Sequence, residues 1–129
     1  MLTGGCKCGA VRYQAEVDDP NRHGLCHCED CRRRSGSAFG WSAYFPLQQV
    51  AGPEGEFEEY RPEIDAPQVR WFCKSCGTTI AWRTGRFPGL IGVAAGAFIG
   101  EALPPPTIIN SASTSVPWVE FPSEWRRIG

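Results

Sequence analysis

Apolar and polar positions alternate with period two from Val11 to Val17: Val11, Tyr13, Ala15 and Val17 fall on one side, Arg12, Gln14 and Glu16 on the other. Successive side chains of an extended chain point to opposite faces, so this stretch predicts a half-buried strand. Five further short runs predict strands: Ala38 to Phe45, Phe57 to Arg61, Val69 to Phe72, Thr78 to Arg83 and Leu90 to Ala94, most of them bounded by Gly or Pro. The most apolar stretch, Leu90 to Leu103, contains Gly92, Gly96, Gly100 and Glu101. It is shorter than the roughly 20 apolar residues of a membrane-spanning helix and reads as a buried strand pair with a turn.

One run has a different character. From Cys28 to Ser35, acidic Glu29 and Asp30 come first, basic Arg32, Arg33 and Arg34 come last, and Gly36 follows. Those charges complement a helix dipole, and glycine suits the residue that ends a helix, so a short helix is predicted. Asp18 to Gly24, Gly52 to Gly55 and Pro62 to Gln68 are expected to be loops, and Leu103 to Pro106 a stiff connector.

Composition fits that pattern. The 129 residues suit a single domain over 1–129, 42% hydrophobic residues support a packed interior, and 15 Gly with 11 Pro work against long helices. The expected fold is mainly β, compact and antiparallel, with one short helix. Thirteen Lys and Arg against 14 Asp and Glu leave no field that would draw a polyanion, so nucleic acid is not an expected partner. Met1 to Cys6 has neither the basic start nor the apolar stretch of a secretion signal. The expectation is a cytoplasmic protein with reduced thiols and no membrane association.

Chemistry enters with the cysteines. All seven fall in three clusters, Cys6-x-Cys8, Cys26-x-Cys28-x-x-Cys31 and Cys73-x-x-Cys76. A tetrahedral zinc ion needs sulfurs about 3.8 Å apart, and two short motifs that each deliver two thiolates meet that need. In an extended segment Cys6 and Cys8 share a face, and Cys73 and Cys76 bracket a turn eased by Gly77. Together they are expected to form a four-cysteine site that closes a long loop and supplies folding energy.

The middle cluster brings three thiolates within six residues, two on the predicted helical turn and Cys26 just before it. Its fourth position has two readings: His23 or His27 closes a structural site, or water or substrate occupies it as catalysis requires. His27 sits between Cys26 and Cys28 and would point away in an extended segment, which makes His23 the stronger closing candidate. Arg32, Arg33 and Arg34 read either as a solvated helix end or as a carboxylate-binding group. Trp41, Tyr44, Trp71, Trp82 and Trp118 could line a pocket, but large aromatics at strand positions belong more often to the core.

Gly4-Gly5-Cys6-Lys7-Cys8-Gly9-Ala10-Val11-Arg12-Tyr13, then Cys26-His27-Cys28-Glu29-Asp30-Cys31-Arg32-Arg33 with Ser35-Gly36-Ser37-Ala38-Phe39, then Phe72-Cys73-Lys74-Ser75-Cys76-Gly77, resemble the glutathione-dependent formaldehyde-activating enzyme family, to which centromere protein V also belongs. Pro117-Trp118 resembles that family's C-terminal Pro-Trp. The resemblance implies an Mss4-like β fold with two zinc ions, a structural one on Cys6, Cys8, Cys73 and Cys76 and a catalytic one on Cys26, Cys28 and Cys31. It also implies a carbon–sulfur lyase type activity that joins glutathione, or another small thiol, to formaldehyde. The alternative from another class is a non-catalytic zinc module that binds a partner protein. A redox thiol protein is disfavoured because metal claims all seven cysteines.

Overall fold

A computed structural model describes residues 1–16, 20, 22–63, 67–98, 100 and 103–129. The strands are β1 (Leu2–Gly5), β2 (Arg12–Ala15), β3 (Arg22–Cys26), β4 (Gly40–Pro46), β5 (Val50–Glu54), β6 (Phe57–Tyr60), β7 (Gln68–Cys73), β8 (Thr79–Thr84), β9 (Leu90–Ala94), β10 (Ile108–Asn110) and β11 (Arg126–Ile128), with one α-helix, α1 (Glu29–Ser35). They form a three-stranded sheet in the order β1-β2-β5 and an eight-stranded sheet in the order β11-β10-β3-β4-β9-β8-β7-β6. Pairing is antiparallel except at β10, which runs parallel to both β3 and β11. A long connection after β9 frees β10 from the antiparallel return that a hairpin imposes.

Alternation along the large sheet separates core from site. Ala43, Phe45, Ile91, Val93 and Ala81 turn one way and pack with Leu2, Val11, Tyr13 and Ala15 of the small sheet. The residues between them turn the other way, and cross-strand pairing sets them in a transverse row: Arg70 opposite Trp82, Trp82 opposite Gly92, Gly92 opposite Tyr44, and Tyr44 opposite Arg22. Paired residues share a face. Gly92 is required in that row, because a Cβ there would overlap the Trp82 indole and the Tyr44 ring.

Several expectations are corrected. The first predicted strand is realised as Arg12–Ala15, with Val17 outside the described residues. The expected loop Asp18 to Gly24 gives way to β3 from Arg22 onward, while Asp18, Asp19 and Asn21 lie outside the described residues. His23-Gly24 has weak strand propensity, but pairing on both sides overrides it. Gly52–Gly55 is largely β5, whose register against β2 shifts between Arg12 and Gln14. At that irregularity Gly52 adopts φ 102°, a conformation that favours glycine. Gln68 opens β7 instead of ending a loop, and Ile64, Asp65 and Ala66 lie outside the described residues. Leu90 to Leu103 is one strand followed by a 3-10 turn at Ala95–Ala97 and a single bridge from Phe98 to Gly4, not a strand pair; Ile99, Glu101 and Ala102 are outside the described residues.

Candidate metal centres and active-site cavity

Cys6 and Cys8 lie in the turn after β1, where the Gly9 amide donates to the Cys6 carbonyl, so a turn and not an extended segment aims both sulfurs together. Cys73 ends β7, and Cys76 lies in the turn to β8. Gly77 at φ 77° donates its N–H to the Cys73 carbonyl and closes that turn. The sulfur of Cys8 is 3.6 Å from that of Cys6 and 3.7 Å from that of Cys73. All four ligand atoms lie within 4.8 Å of one another. Metal–sulfur bonds of about 2.3 Å in a tetrahedron put sulfurs about 3.8 Å apart, so the set fits one ion. Backbone N–H groups of Val11 and Cys76 donate to the sulfurs of Cys6 and Cys73. A Thr78 hydroxyl beside Cys76 holds that thiol down to about 5.

The second cluster is built where β3 runs into α1. Cys26 ends the strand, Cys28 caps the helix by accepting the Cys31 amide on its sulfur, and Cys31 lies in the first turn. Gly36 ends the helix at φ 65°, as its sequence predicts. The three ligand atoms fall within 4.8 Å, and no fourth Cys, His or carboxylate joins them among the described residues. A hydrogen bond from Cys31 lowers the Cys26 thiol to about 5, whereas the same bond and burial push Cys31 upward. Three sulfurs this close are a donor set suited to a cation. None of the seven cysteines forms a disulfide.

Neither histidine belongs to that set. His23 alternates with Arg22 and Gly24 along β3 and lines the same cavity without joining the cysteine set, while His27 follows the end of the strand. His23 Nε2 accepts a 2.7 Å hydrogen bond from Trp41 Nε1. His27 is fully buried between Phe39 and Phe121, and burial lowers its pKa.

The three cysteines open into a cavity of about 460 Å³, on the face of the large sheet opposite the core. Four guanidinium groups line it, from Arg22, Arg34, Arg70 and Arg86, against one side-chain carboxylate, Asp30. Arg70 is 8% exposed and pairs with Asp30 at 2.8 Å, which docks α1 on the sheet. Arg34 stacks 4.5 Å over the Trp82 ring and carries a buried Nη2 with no hydrogen-bond partner. Arg22 lies 4.5 Å over Phe87. The helix-end arginines thus divide: Arg34 faces the cavity, while Arg33 forms an exposed pair with Glu29 worth about 0.5 kcal/mol at most. Burial pushes the Tyr44 phenol up, the Trp82 hydrogen bond and the Arg34 guanidinium offset this, and the Cys31 and Cys26 sulfurs add to the rise.

The aromatic residues also divide. Trp82 is buried and Tyr44 lines the cavity, but Trp118 is 75% exposed, contrary to a core position; it lies in a turn closed by the Val119 amide donating to the Val116 carbonyl. Arg22 and Arg70 are site residues that the sequence does not single out, whereas Tyr44 realises the pocket-lining reading of the strand aromatics. A polar or charged side chain every second residue in a strand, as at Gln68-x-Arg70, is the available signal.

The profile described as glutathione-dependent formaldehyde-activating enzyme matches residues 1–111. The chain belongs to the glutathione-dependent formaldehyde-activating enzyme family. It is 31% identical over 130 residues to a Halomonas elongata protein named "Putative glutathione-dependent formaldehyde-activating enzyme", covering 95% of this chain and 82% of that protein. It is 34% identical over 91 residues to a Schizosaccharomyces pombe protein named as an uncharacterized lyase, covering 68% of this chain and 63% of that one. The crystal structure of a Rhodobacter sphaeroides protein shares the fold, with TM-score 0.63 and 24% identity over 78% of this chain and 90% of that one. In this family member both cysteine clusters could hold a metal ion, and no helix among the described residues is long and apolar enough to cross a membrane.

Proposed function

We propose that the protein is a zinc-dependent, carbon–sulfur lyase type enzyme. It adds the thiol of glutathione, or of a similar small thiol, to formaldehyde and gives S-hydroxymethylglutathione. One observation carries this reading: three cysteines, with no fourth ligand among the described residues, meet at the wall of an arginine-lined cavity. Cys6, Cys8, Cys73 and Cys76 hold the structural zinc; Cys26, Cys28 and Cys31 hold the catalytic one. Bound there, zinc supplies a Lewis-acid position that favours ionisation of a thiol at neutral pH.

The chain's own residues supply binding and orientation. Glutathione carries two carboxylates, and Arg34 and Arg22 offer guanidiniums that no carboxylate of the described residues pairs. A cavity of about 460 Å³ lies within the roughly 300–1,000 Å³ range of small-molecule sites. Because three thiolates leave zinc a modest Lewis acid, holding two small reactants together contributes more to rate than polarisation does. The same reading takes residues 1–129 as one zinc domain of the cytoplasm, where thiol ligands stay reduced.

Carbon-13 formaldehyde and glutathione, mixed with the two-zinc protein, test the proposal by exchange NMR. The expected result is interconversion with S-hydroxymethylglutathione at a rate that rises linearly with protein and is lost in Cys31→Ser. A rate equal to the uncatalysed background, with both zincs retained, would favour the non-catalytic zinc module.

A further inference from the structure

Resting on that reading of the cavity, we infer that Tyr44 is a catalytic residue, the proton donor to the aldehyde oxygen, and that Trp82 positions it. An indole fixes the direction of the hydrogen bond between them. Trp82 Nε1 is a donor with no acceptor capacity, and it lies 2.8 Å from Tyr44 Oη. The phenol oxygen is therefore the acceptor in that bond. Its own hydrogen must point elsewhere, and among the described residues Tyr44 Oη donates to no protein group.

Both rings stand on the cavity face of the sheet, side by side across Gly92, which has no Cβ to separate them. The ring centroids are 6.2 Å apart and nearly perpendicular, at 80°. Trp82 is only 4% exposed, so the indole is a fixed post. Phe87 holds the other side of Tyr44, with centroids 4.9 Å apart. A phenol braced on two sides with its hydrogen unclaimed is a preorganised donor, the arrangement that stabilises developing negative charge with least reorganisation.

The donor is coupled in space to the cysteine cluster. The Arg34 guanidinium that stacks on Trp82 also crowds Gly40, where a Cβ would lie 2.5 Å from Arg34 Nη2 and 3.2 Å from Cys31 Cβ. Arg34 and Cys31 thus both border Gly40, and Tyr44, Trp82 and Arg34 line the same cavity as the three cysteines. Because Tyr44 and the cluster face one cavity, an aldehyde that meets sulfur at the cluster can turn its carbonyl oxygen toward the phenol.

The step balances without an oxidant. A carbon–sulfur bond forms between the substrate thiolate and the aldehyde carbon. The carbonyl π pair moves to oxygen, and that oxygen takes the Tyr44 proton. The phenolate regains, through solvent, the proton released when the thiol ionised, so the net change is addition of thiol to aldehyde. The reverse reaction uses Tyr44 as the base.

Tyr44→Phe in the zinc-loaded protein, with exchange NMR and glutathione titration, tests the assignment. Removing one such donor is expected to lower kcat in both directions by about 100-fold. KM for glutathione and the thiol titration should stay within about twofold, a split that a merely structural role would not produce. Because Tyr44→Phe strands the Trp82 N–H, the melting temperature and zinc content of Tyr44→Phe are measured beside its kinetics; a folded, zinc-loaded variant that has lost kcat supports the role of Tyr44. Wild-type catalysis with Tyr44→Phe within threefold would overturn the role of Tyr44 and leave the proposed reaction intact. A wild type without catalysis would remove the reaction, and the role of Tyr44 with it.

Discussion

The seven cysteines are chemically alike and structurally divided. Cys73 is 1% exposed, and its sulfur belongs to the set that joins the β1–β2 turn to the β7–β8 turn. Cys31 is half-buried on a seven-residue helix at the edge of a cavity. Structural zinc in small domains contributes about 10–16 kcal/mol, comparable with the whole stability of a domain, about 5–15 kcal/mol. Cys73→Ser is therefore expected to prevent a cooperative melt and to lose metal from the four-cysteine site. Cys31→Ser should keep a cooperative melt within about 10 °C of wild type and lose one zinc. Calorimetry with metal quantification separates the two; equal loss of folding and of both metals would argue against distinct roles.

Glycines test the element scale because two of them have opposite surroundings. Gly36 ends α1 in a left-handed conformation, and a side-chain carbon added there would meet nothing within 4 Å, so Gly36→Ala incurs only the backbone penalty, about 1 kcal/mol. Gly92 has ordinary backbone but no room, and Gly92→Ala forces Trp82 and Tyr44 apart. Overpacking of that kind costs about 1–3 kcal/mol. Urea unfolding should rank Gly92→Ala as the more damaging, and Gly92→Ala alone should impair catalysis. The helix is legible in the sequence because its charges and Gly36 are local signals, and so are β4 and β7 to β9. β3 is not legible, since His23-Gly24 becomes strand only through β4 and β10, far along the chain. Without β3, His23 stays a candidate ligand.

At the scale of the whole molecule, one cluster fastens two sheets and the other faces a cavity on the far side of the larger sheet. The cysteine motifs are legible because the spacing within each is a local property; that Cys6-x-Cys8 meets Cys73-x-x-Cys76 is a property of the fold. The cavity wall is not, because Arg22, Tyr44, Trp82 and Arg70 come from four strands and meet only through cross-strand register. Everything proposed for function depends on the sites differing in kind, one saturated by protein and one able to take a substrate thiol. Cobalt substitution at both sites, followed by glutathione titration in the visible region, separates these two kinds of site. The thiol is expected to change the spectrum of one cobalt, release a proton at neutral pH and leave the other cobalt untouched, and His23→Ala should respond in the same way. A spectrum unchanged by glutathione in wild type but altered in His23→Ala would show a site closed by His23, with no position for a substrate thiol.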